Sequence, residues 1–375
     1  MQWTAIVTRQ GQLHREWTTN IEVLYTGLHG LSVQRFQLKE NGQSYIYKPF
    51  VTVADVIREV RVYQQVMPWL PEVYPQLIAY STGVITETMG NEEAQAFANQ
   101  HAIDVSASSG CWLILEDIGT LSHHHNEQVL LEMVNLMAQW HRIPIRNIQE
   151  LPVQGQKPPL SAVKDEVLQN WEQAVGLLNG IYDAHDEHDE HDEHGQGMEE
   201  RSGRAQYCIP DPQKWDSLRD ELRQFAPEES PVLSHGDLHA GNYGLNPEGR
   251  LIVLDWEHAH AALPYWDLYH LLDMSHPLFP RRMNPTLRQK LLQQYWQQTR
   301  QTIQFGEQDH RLSLDCRIFY QDYYRFAILY SLWMLLLIER DLLQPQAIWP
   351  HPQLLAQRRE TMEHLWQCIE HWPEL

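Results

Sequence analysis

The alternation of apolar and polar positions changes period several times along the chain, and each change marks an element. Up to residue 50 the period is two. "WTAIVT" and "LHREWT" flank Arg9-Gln10-Gly11-Gln12 and predict a first hairpin. "SVQRFQL" and "SYIYKPF" flank "KENGQ", whose Asn41-Gly42 pair favours the tight turn of a second. From Val53 the period becomes helical, with Val56, Val60, Tyr63 and Met67 on one stripe, and Pro68 and Pro71 close the segment. Near Cys111 a short apolar run, "CWLILEDIG", predicts a strand that ends at Glu116-Asp117-Ile118-Gly119. Strands, a helix and then a strand predict a mixed α+β lobe over residues 1–118.

Residues 119–375 are mainly helical in pattern. Leu130, Val134, Met137 and Trp140 form one apolar stripe that stops near Pro144. "RLIVLDW" interrupts with a short β element. "WDLYHLLDM", "LRQKLLQQYWQQT", the run at residues 326–338 and a C-terminal amphipathic segment then predict further helices. The apolar run at 326–338 is bounded by Arg325 and Glu339, which makes it too short to span a bilayer, so it predicts a buried core helix.

One stretch fits neither lobe. Residues 183–203, "DAHDEHDEHDEHGQGMEERSG", hold a three-residue repeat with no apolar anchor before Met198. Such a segment cannot bury enough surface to offset its ordering entropy, so a disordered surface insertion is expected. Its histidines, from His185 to His194, are metal-capable, but composition alone makes a solvated loop the plainer reading.

Composition changes the picture only in part. The formal net charge is -21, from 28 basic and 49 acidic side chains, which argues against a nucleic-acid surface and against anionic lipid. Cys111, Cys208, Cys316 and Cys368 are scattered, without a CxxC pair, and fit reduced thiols rather than a disulfide framework. "MQWTAIVTRQ" lacks the layout of a signal peptide, so a cytoplasmic enzyme is expected.

The chemistry concentrates in "LSHGDLHAGN" and "IVLDWEHA". No P-loop, Rossmann glycine turn, GxSxG elbow or HExxH helix accompanies them. Asp237, Asn242 and Asp255 offer only oxygen ligands, the kind that Mg²⁺ prefers beside phosphate oxygens. Asp255 follows "LIVL" and so sits at a strand tip. Asn242 brings an amide oxygen from the preceding loop, and Asp237 is left to accept a proton from an attacking hydroxyl. One acid on the nucleophile, with an Asn and an Asp on metal, is the phosphoryl-transfer template.

That template requires more parts, and the first lobe offers them. In "SYIYKPF" Ile46 and Lys48 share a strand face, so Ile46 could roof a base while Lys48 reaches phosphate. Glu59, on the next helix, could fix that lysine. "TGLHGLS" supplies Gly27, Gly30 and Ser32 as a turn over the phosphates, and "LILEDIG" an extended link that presents backbone to adenine. Each part has a bland reading by itself; their order and spacing together carry the argument.

These residues resemble the aminoglycoside phosphotransferase and choline kinase group, the small-molecule branch of the protein-kinase-like fold. "HGDLHAGN" and "VLDWEHA" look like its catalytic loop and metal-binding element, "MAQWHRI" like its helix ending in a histidine, and "PYWDLYHLL" like its Asp-Leu helix. The likeness runs over roughly residues 26–273, interrupted by the insertion. It implies a bilobal α+β fold with a β-rich N-lobe and an α-rich C-lobe. It also implies Asp237 as catalytic base, Asn242 and Asp255 on Mg²⁺, Lys48 on the phosphates of ATP (or GTP) and Glu59 on Lys48. Backbone at Leu115 and Glu116 would meet adenine, while His235 and Asp267 would support the catalytic loop. The glycine turn is the poorest match. The implied partners are a nucleotide and a small-molecule hydroxyl such as an amino sugar or a choline-like alcohol.

Two other classes compete. A metallohydrolase could use His235, Asp237 and His239, which alternate along the chain, but Lys48 and Glu59 would then lack a purpose. A catalytically silent kinase-like binding protein would retain the same groups without transfer.

Overall fold

The computed structural model describes residues 3–8, 11–27, 29–83, 103–104, 110–123, 126–155, 157–186, 212–300, 315–345 and 347–372. Of the expected insertion, residues 187–203 lie outside these, while 183–186 belong to the end of a helix.

The N-terminal sheet has six strands: β1 (Thr18–Thr26), β2 (Ser32–Leu38), β3 (Ser44–Phe50), β4 (Leu77–Thr82), β5 (Ile103–Asp104) and β6 (Cys111–Glu116). Their order is β1-β2-β3-β6-β4-β5, antiparallel except for the short β4/β5 pair. Period two sorts the residues between faces. Phe36, Leu38, Tyr45, Tyr47, Trp112 and Ile114 form a core with Ile6, Val7 and Leu13 of the N-terminal segment. Ile46 and Lys48 belong to the alternate set and stand opposite Leu115 and Leu113 in the register of β3 with β6. One face is thus filled by the chain's own beginning.

One expectation fails here, and one strand was not anticipated. The first hairpin is instead a 3-10 turn at Trp3–Ala5 and a single bridge between Val7 and Leu13. These apolar residues are buried against the sheet rather than extending it. Strand β4 carries no clear alternating signal, because it lies between two neighbours and is buried on both faces.

Helix α1 (Val53–Arg61) starts at Thr52, whose hydroxyl accepts from the Asp55 amide at 3.2 Å. It buries Val56, Glu59 and Val60, then loosens into a π turn at Val62–Val66 and a 3-10 turn at Met67–Trp69. Helix α2 (Glu127–His141) is capped by Asn126, which accepts from the Val129 amide at 3.0 Å.

By packing, the chain divides into two compact units. The first comprises Met1–Gln156, Ser230–Asp267 and Gln293–Glu307; the second comprises Lys157–Glu229, Leu268–Leu292 and Gln308–Leu375. Two small antiparallel strand pairs complete the first unit. In one, β7 (Val232–Ser234) pairs with β10 (His260–Ala262); in the other, β8 (Tyr243–Leu245) pairs with β9 (Leu251–Val253).

The second unit is helical, with α3 (Leu160–Gln169), α4 (Trp171–Asp186), α5 (Pro212–Gln224), α8 (Cys316–Leu342) and α9 (His351–His371). Helices α6 (Tyr265–Leu272) and α7 (Pro285–Arg300) contribute residues to both units. The apolar run expected at 326–338 lies inside α8 and is mostly buried. Within this unit Arg288 clamps Asp273 through Nε at 2.9 Å and Nη2 at 2.6 Å. Tyr323 also donates to Asp273, and Arg288 donates to Gln367 at 3.0 Å. Among the described residues no helix is long and apolar enough to cross a membrane.

Candidate functional site

Lys48 leaves β3 on the face opposite the core and meets three carboxylates. Its Nζ lies 2.6 Å from Glu59 of α1, 2.6 Å from Asp255 and 3.2 Å from Glu257. Glu59 is 1% exposed, Lys48 12%, Glu257 26% and Asp255 36%, so the cluster runs from the interior towards solvent. Burial alone would lower the Lys48 pKa, but the three acids outweigh it and hold the ammonium well above the ordinary lysine range. Glu59 shows the opposite balance. Burial pushes its carboxyl up to about 8, and Lys48, shared with two other acids, does not cancel that. Asp255 feels burial too, yet Lys48 draws it below the usual range.

Asp255 is placed by strain as well as by charge. It follows β9 with φ 64° and ψ 63°, a left-handed conformation that costs a non-glycine residue about 1–3 kcal/mol. The turn aims its carboxylate back at β3. Asp255 lies at the strand tip where its place after "LIVL" puts it. Glu257 was not anticipated: an acid two residues on, after a buried tryptophan, carries no local signal of its destination. Arg58 of α1 donates to the Glu257 carbonyl at 2.5 Å and pins that turn against the helix.

The loop between β7 and β8 holds the remaining groups. Asn242 donates its side-chain amide to the Asp237 carbonyl at 2.8 Å, which leaves its Oδ1 as the ligand-capable atom. The Leu254 amide donates to the Asn242 carbonyl at 2.8 Å, so Asn242 stands beside the strand end that delivers Asp255. Asp237 is partly exposed, with His239 Nε2 3.7 Å from its carboxylate. Gly236 has φ 87°, and a Cβ there would lie 2.1 Å from the His258 carbonyl oxygen, so the loop tolerates only glycine at that point.

Asp267 ties this loop down. Its carboxylate accepts from Ser234 Oγ at 2.6 Å and from the amides of His235 at 2.9 Å and Gly236 at 3.3 Å. It accepts further from His141 Nε2 at 3.0 Å and Trp140 Nε1 at 3.2 Å. Burial by itself would raise this carboxyl; His141 and the other donors instead pull it well below the usual range. Trp266 adds a bond from its indole to the Gly236 carbonyl at 3.1 Å.

His235 is fully buried, with Nε2 on the Leu254 carbonyl at 2.8 Å and its ring 4.5 Å from that of Trp256. Burial lowers its pKa despite the nearby acids, so it stays a neutral link between loop and strand. The Asp237 amide approaches its Nδ1 at 3.4 Å. Both ring nitrogens are thus engaged by backbone, and the His235/Asp237/His239 metal set of the hydrolase reading loses a ligand.

Residues expected further from the chemistry separate into two groups. Gly27 and Gly30 close the turn between β1 and β2, where Gly30 has φ 75° and its amide donates to the Gly27 carbonyl at 2.9 Å. The Ser32 hydroxyl meets Thr26 across the same turn at 2.8 Å. Ile46 pairs with Leu115 in the register that pairs Lys48 with Leu113, so both expected base-contacting residues lie on neighbouring strands. The Glu116 amide, however, donates to the Gln76 carbonyl at 2.9 Å, which commits that group within the sheet. The link beyond it is anchored by Asp117, which accepts from Arg35 at 2.8 Å and Ser44 at 2.6 Å.

The donor set suits a hard cation. Oxygen atoms of Glu59, Asp255 and Glu257 lie within 4.8 Å of one another, with no sulfur and no imidazole among them.

Residues 28–302 match the model of the phosphotransferase enzyme family. No curated protein matches the chain. Among solved structures the chain is similar to a spectinomycin phosphotransferase in complex with ADP and spectinomycin, at 12% identity over 94% of this chain and 92% of that one, with a TM-score of 0.47. An amicoumacin kinase in complex with AMP-PNP and Ca²⁺ is similar at 13% identity over 96% and 91%, with a TM-score of 0.48. The choline kinase of Streptococcus pneumoniae is similar at 13% identity over 93% and 94%, with a TM-score of 0.41.

Proposed function

The chain belongs to the phosphotransferase enzyme family, and from that premise we propose that it moves the γ-phosphoryl group of ATP, or GTP, to a hydroxyl of a small molecule. Residues 1–118 would form the nucleotide-binding lobe and residues 119–375 the catalytic and acceptor lobe. The observation that supports this reading is the meeting of Lys48 with Glu59 and Asp255, each at 2.6 Å. Three acids around one lysine leave an excess of negative charge, which the metal ion that accompanies a nucleotide's phosphates would offset.

In this mechanism Glu59 keeps Lys48 on its strand face while the ammonium exchanges Asp255 for phosphate oxygens. Asn242 and Asp255 would hold Mg²⁺, which supplies charge neutralisation at the phosphates when bound; Glu257 is near enough to assist. Asp237 orients the acceptor hydroxyl and takes its proton. The acceptor oxygen bonds to the γ-phosphorus as the bond to the β,γ-bridging oxygen breaks, and the nucleoside diphosphate leaves. Asp267, His141 and Trp140 do not touch substrate; they fix the loop from which Asp237 acts. The Gly27–Ser32 turn would cover the phosphates, while Ile46 and backbone near Leu115 would flank the base.

An amine-bearing acceptor, such as an amino sugar or a choline-like alcohol, suits a chain with a formal net charge of -21. The test is release of nucleoside diphosphate from Mg-ATP across amino sugars, amino alcohols, neutral sugars and nucleosides. Acceptor-dependent release that falls about 10²–10⁴-fold in Asp237→Asn is the expected result. Release that persists in the variant would remove Asp237 from its role. Nucleotide binding without release for any acceptor would favour a silent binding protein.

A further inference from the structure

We propose that the first unit carries a second binding site, for a small carboxylate with a compact apolar body, on the side of α1 that Arg58 and Arg61 occupy. A cavity of about 250 Å³ lies there, walled by α1 and by the segment 148–152. This is below the ~300–1,000 Å³ usual for sites that take drug-sized ligands, so a small acid is the fitting class.

The lining specifies the chemistry. Ile57, Val62, Ile148, Leu151 and Pro152 give apolar walls, while Arg58 and Arg61 bring two guanidinium groups. A carboxylate already uses part of this surface. Glu150 pairs with Arg61 through its side chain, and its carbonyl accepts from the same guanidinium at 3.4 Å. Arg58 Nε is buried and has no hydrogen-bond partner among the described residues. A ligand carboxylate would compete with Glu150 for Arg61 and with Asp55, 3.8 Å from Arg58 Nη1, for Arg58. Glu150 also has φ 50°, one of three non-glycine residues in the left-handed region among those described, so the wall is held in a strained form.

The position couples this cavity to the candidate site. Arg58 adjoins Glu59 in sequence, and its Nη1 donates to the Glu257 carbonyl. The opposite wall reaches β10, the partner of β7, because the Ala261 amide of β10 donates to the Pro152 carbonyl at 2.7 Å. A ligand between these walls would bear on Glu59 and Glu257 together, and hence on two of the three acids around Lys48. This coupling, unlike the site itself, rests on the phosphotransfer reading.

The experiment titrates phenylacetate, with uncharged 2-phenylethanol beside it, into the full chain and follows binding by calorimetry and by amide shifts. The expected result is saturable one-site binding of phenylacetate, weakened at least about tenfold for 2-phenylethanol, in Arg58→Met and in Ala54→Trp. Ala54 lines the cavity from an exposed position, so its replacement fills the space without disturbing the core. No saturation up to about 10 mM, or equal affinity in the filled variant, would overturn the site. Coupling predicts that phenylacetate changes the affinity for an ATP analogue with Mg²⁺, and that the analogue changes phenylacetate affinity by the same factor. Independent affinities would overturn the coupling. A chain that binds phenylacetate but no nucleotide would sink the phosphotransfer reading, and the coupling with it, while the site stands.

Discussion

Two buried charge clusters, one in each unit, follow opposite rules. In the second unit Asp273 and Arg288 are both 0% exposed and clasp each other through Arg288 Nε and Nη2, with Tyr323 donating to Asp273 and Gln367 accepting from Arg288. One negative charge meets one positive charge. In the first unit three carboxylates crowd a single ammonium, and burial leaves Glu59 with a pKa of about 8. The balanced cluster holds helices together; the unbalanced one has an excess of anionic ligands that only a further cation, or a protonated acid, can offset. Stability and chemistry are therefore separable in this chain by counting charges where water is excluded.

The largest expected effect breaks the balanced cluster. Arg288→Met leaves Asp273 buried without its partner and should cost about 3–5 kcal/mol of unfolding free energy in a denaturant titration. The counterpart in the first unit is Lys48→Met. It should reduce phosphotransfer by about 10²–10³-fold and cost less stability than Arg288→Met, because Glu59 can answer by holding its proton.

The two clusters should also respond to pH with opposite signs. Burial lowers His364, whose Nδ1 lies 3.1 Å from the Asp273 carbonyl, from 6.5 to about 4. The unfolded state then binds more protons, so the stability this neutral histidine contributes is present above pH 6.5 and lost as pH falls towards 4. Glu59 is raised from 4.5 to about 8. Its contribution is present below pH 4.5 and lost as pH rises through 8. Unfolding midpoints measured across pH should therefore flatten on the acid side in His364→Gln and on the neutral-to-alkaline side in Glu59→Gln. The same slope in wild type and variant would refute either assignment.

Smallest of all should be Glu257→Gln. It removes one acid from an overcrowded ammonium and should change stability by no more than about 1 kcal/mol, with a gain as admissible as a loss. A loss comparable to that of Arg288→Met would mean that the first cluster is structural after all.

Much of this was legible in the sequence, for local reasons. Lys48 could be read because period two on β3 puts it beside Ile46, and Glu59 because a helix begins at Val53 and presents it next to a buried stripe. Asp237, Asn242 and Asp255 could be read from a loop and a strand tip. The family found over residues 28–302 is in keeping with what those motifs implied. What could not be read depends on contacts distant along the chain. Glu257 reaches Lys48 only because Asp255 adopts a left-handed turn, which no neighbouring residue announces. Trp140 and His141 converge on Asp267 from a helix far upstream. The first hairpin failed for a related reason: Ile6, Val7 and Leu13 have a strand's composition, but the sheet face beneath them had already been built by β2, β3 and β6.

The central claim is that the crowded carboxylates and Lys48 form a metal–nucleotide site, and one measurement bears on it most directly. Calorimetric titration with a non-hydrolysable ATP analogue, with and without Mg²⁺, should be run on the wild-type chain and on Asp255→Asn. The account predicts Mg²⁺-dependent binding that weakens at least about tenfold in the variant, or roughly 1.4 kcal/mol. Binding of the analogue that is indifferent both to Mg²⁺ and to Asp255→Asn would contradict it.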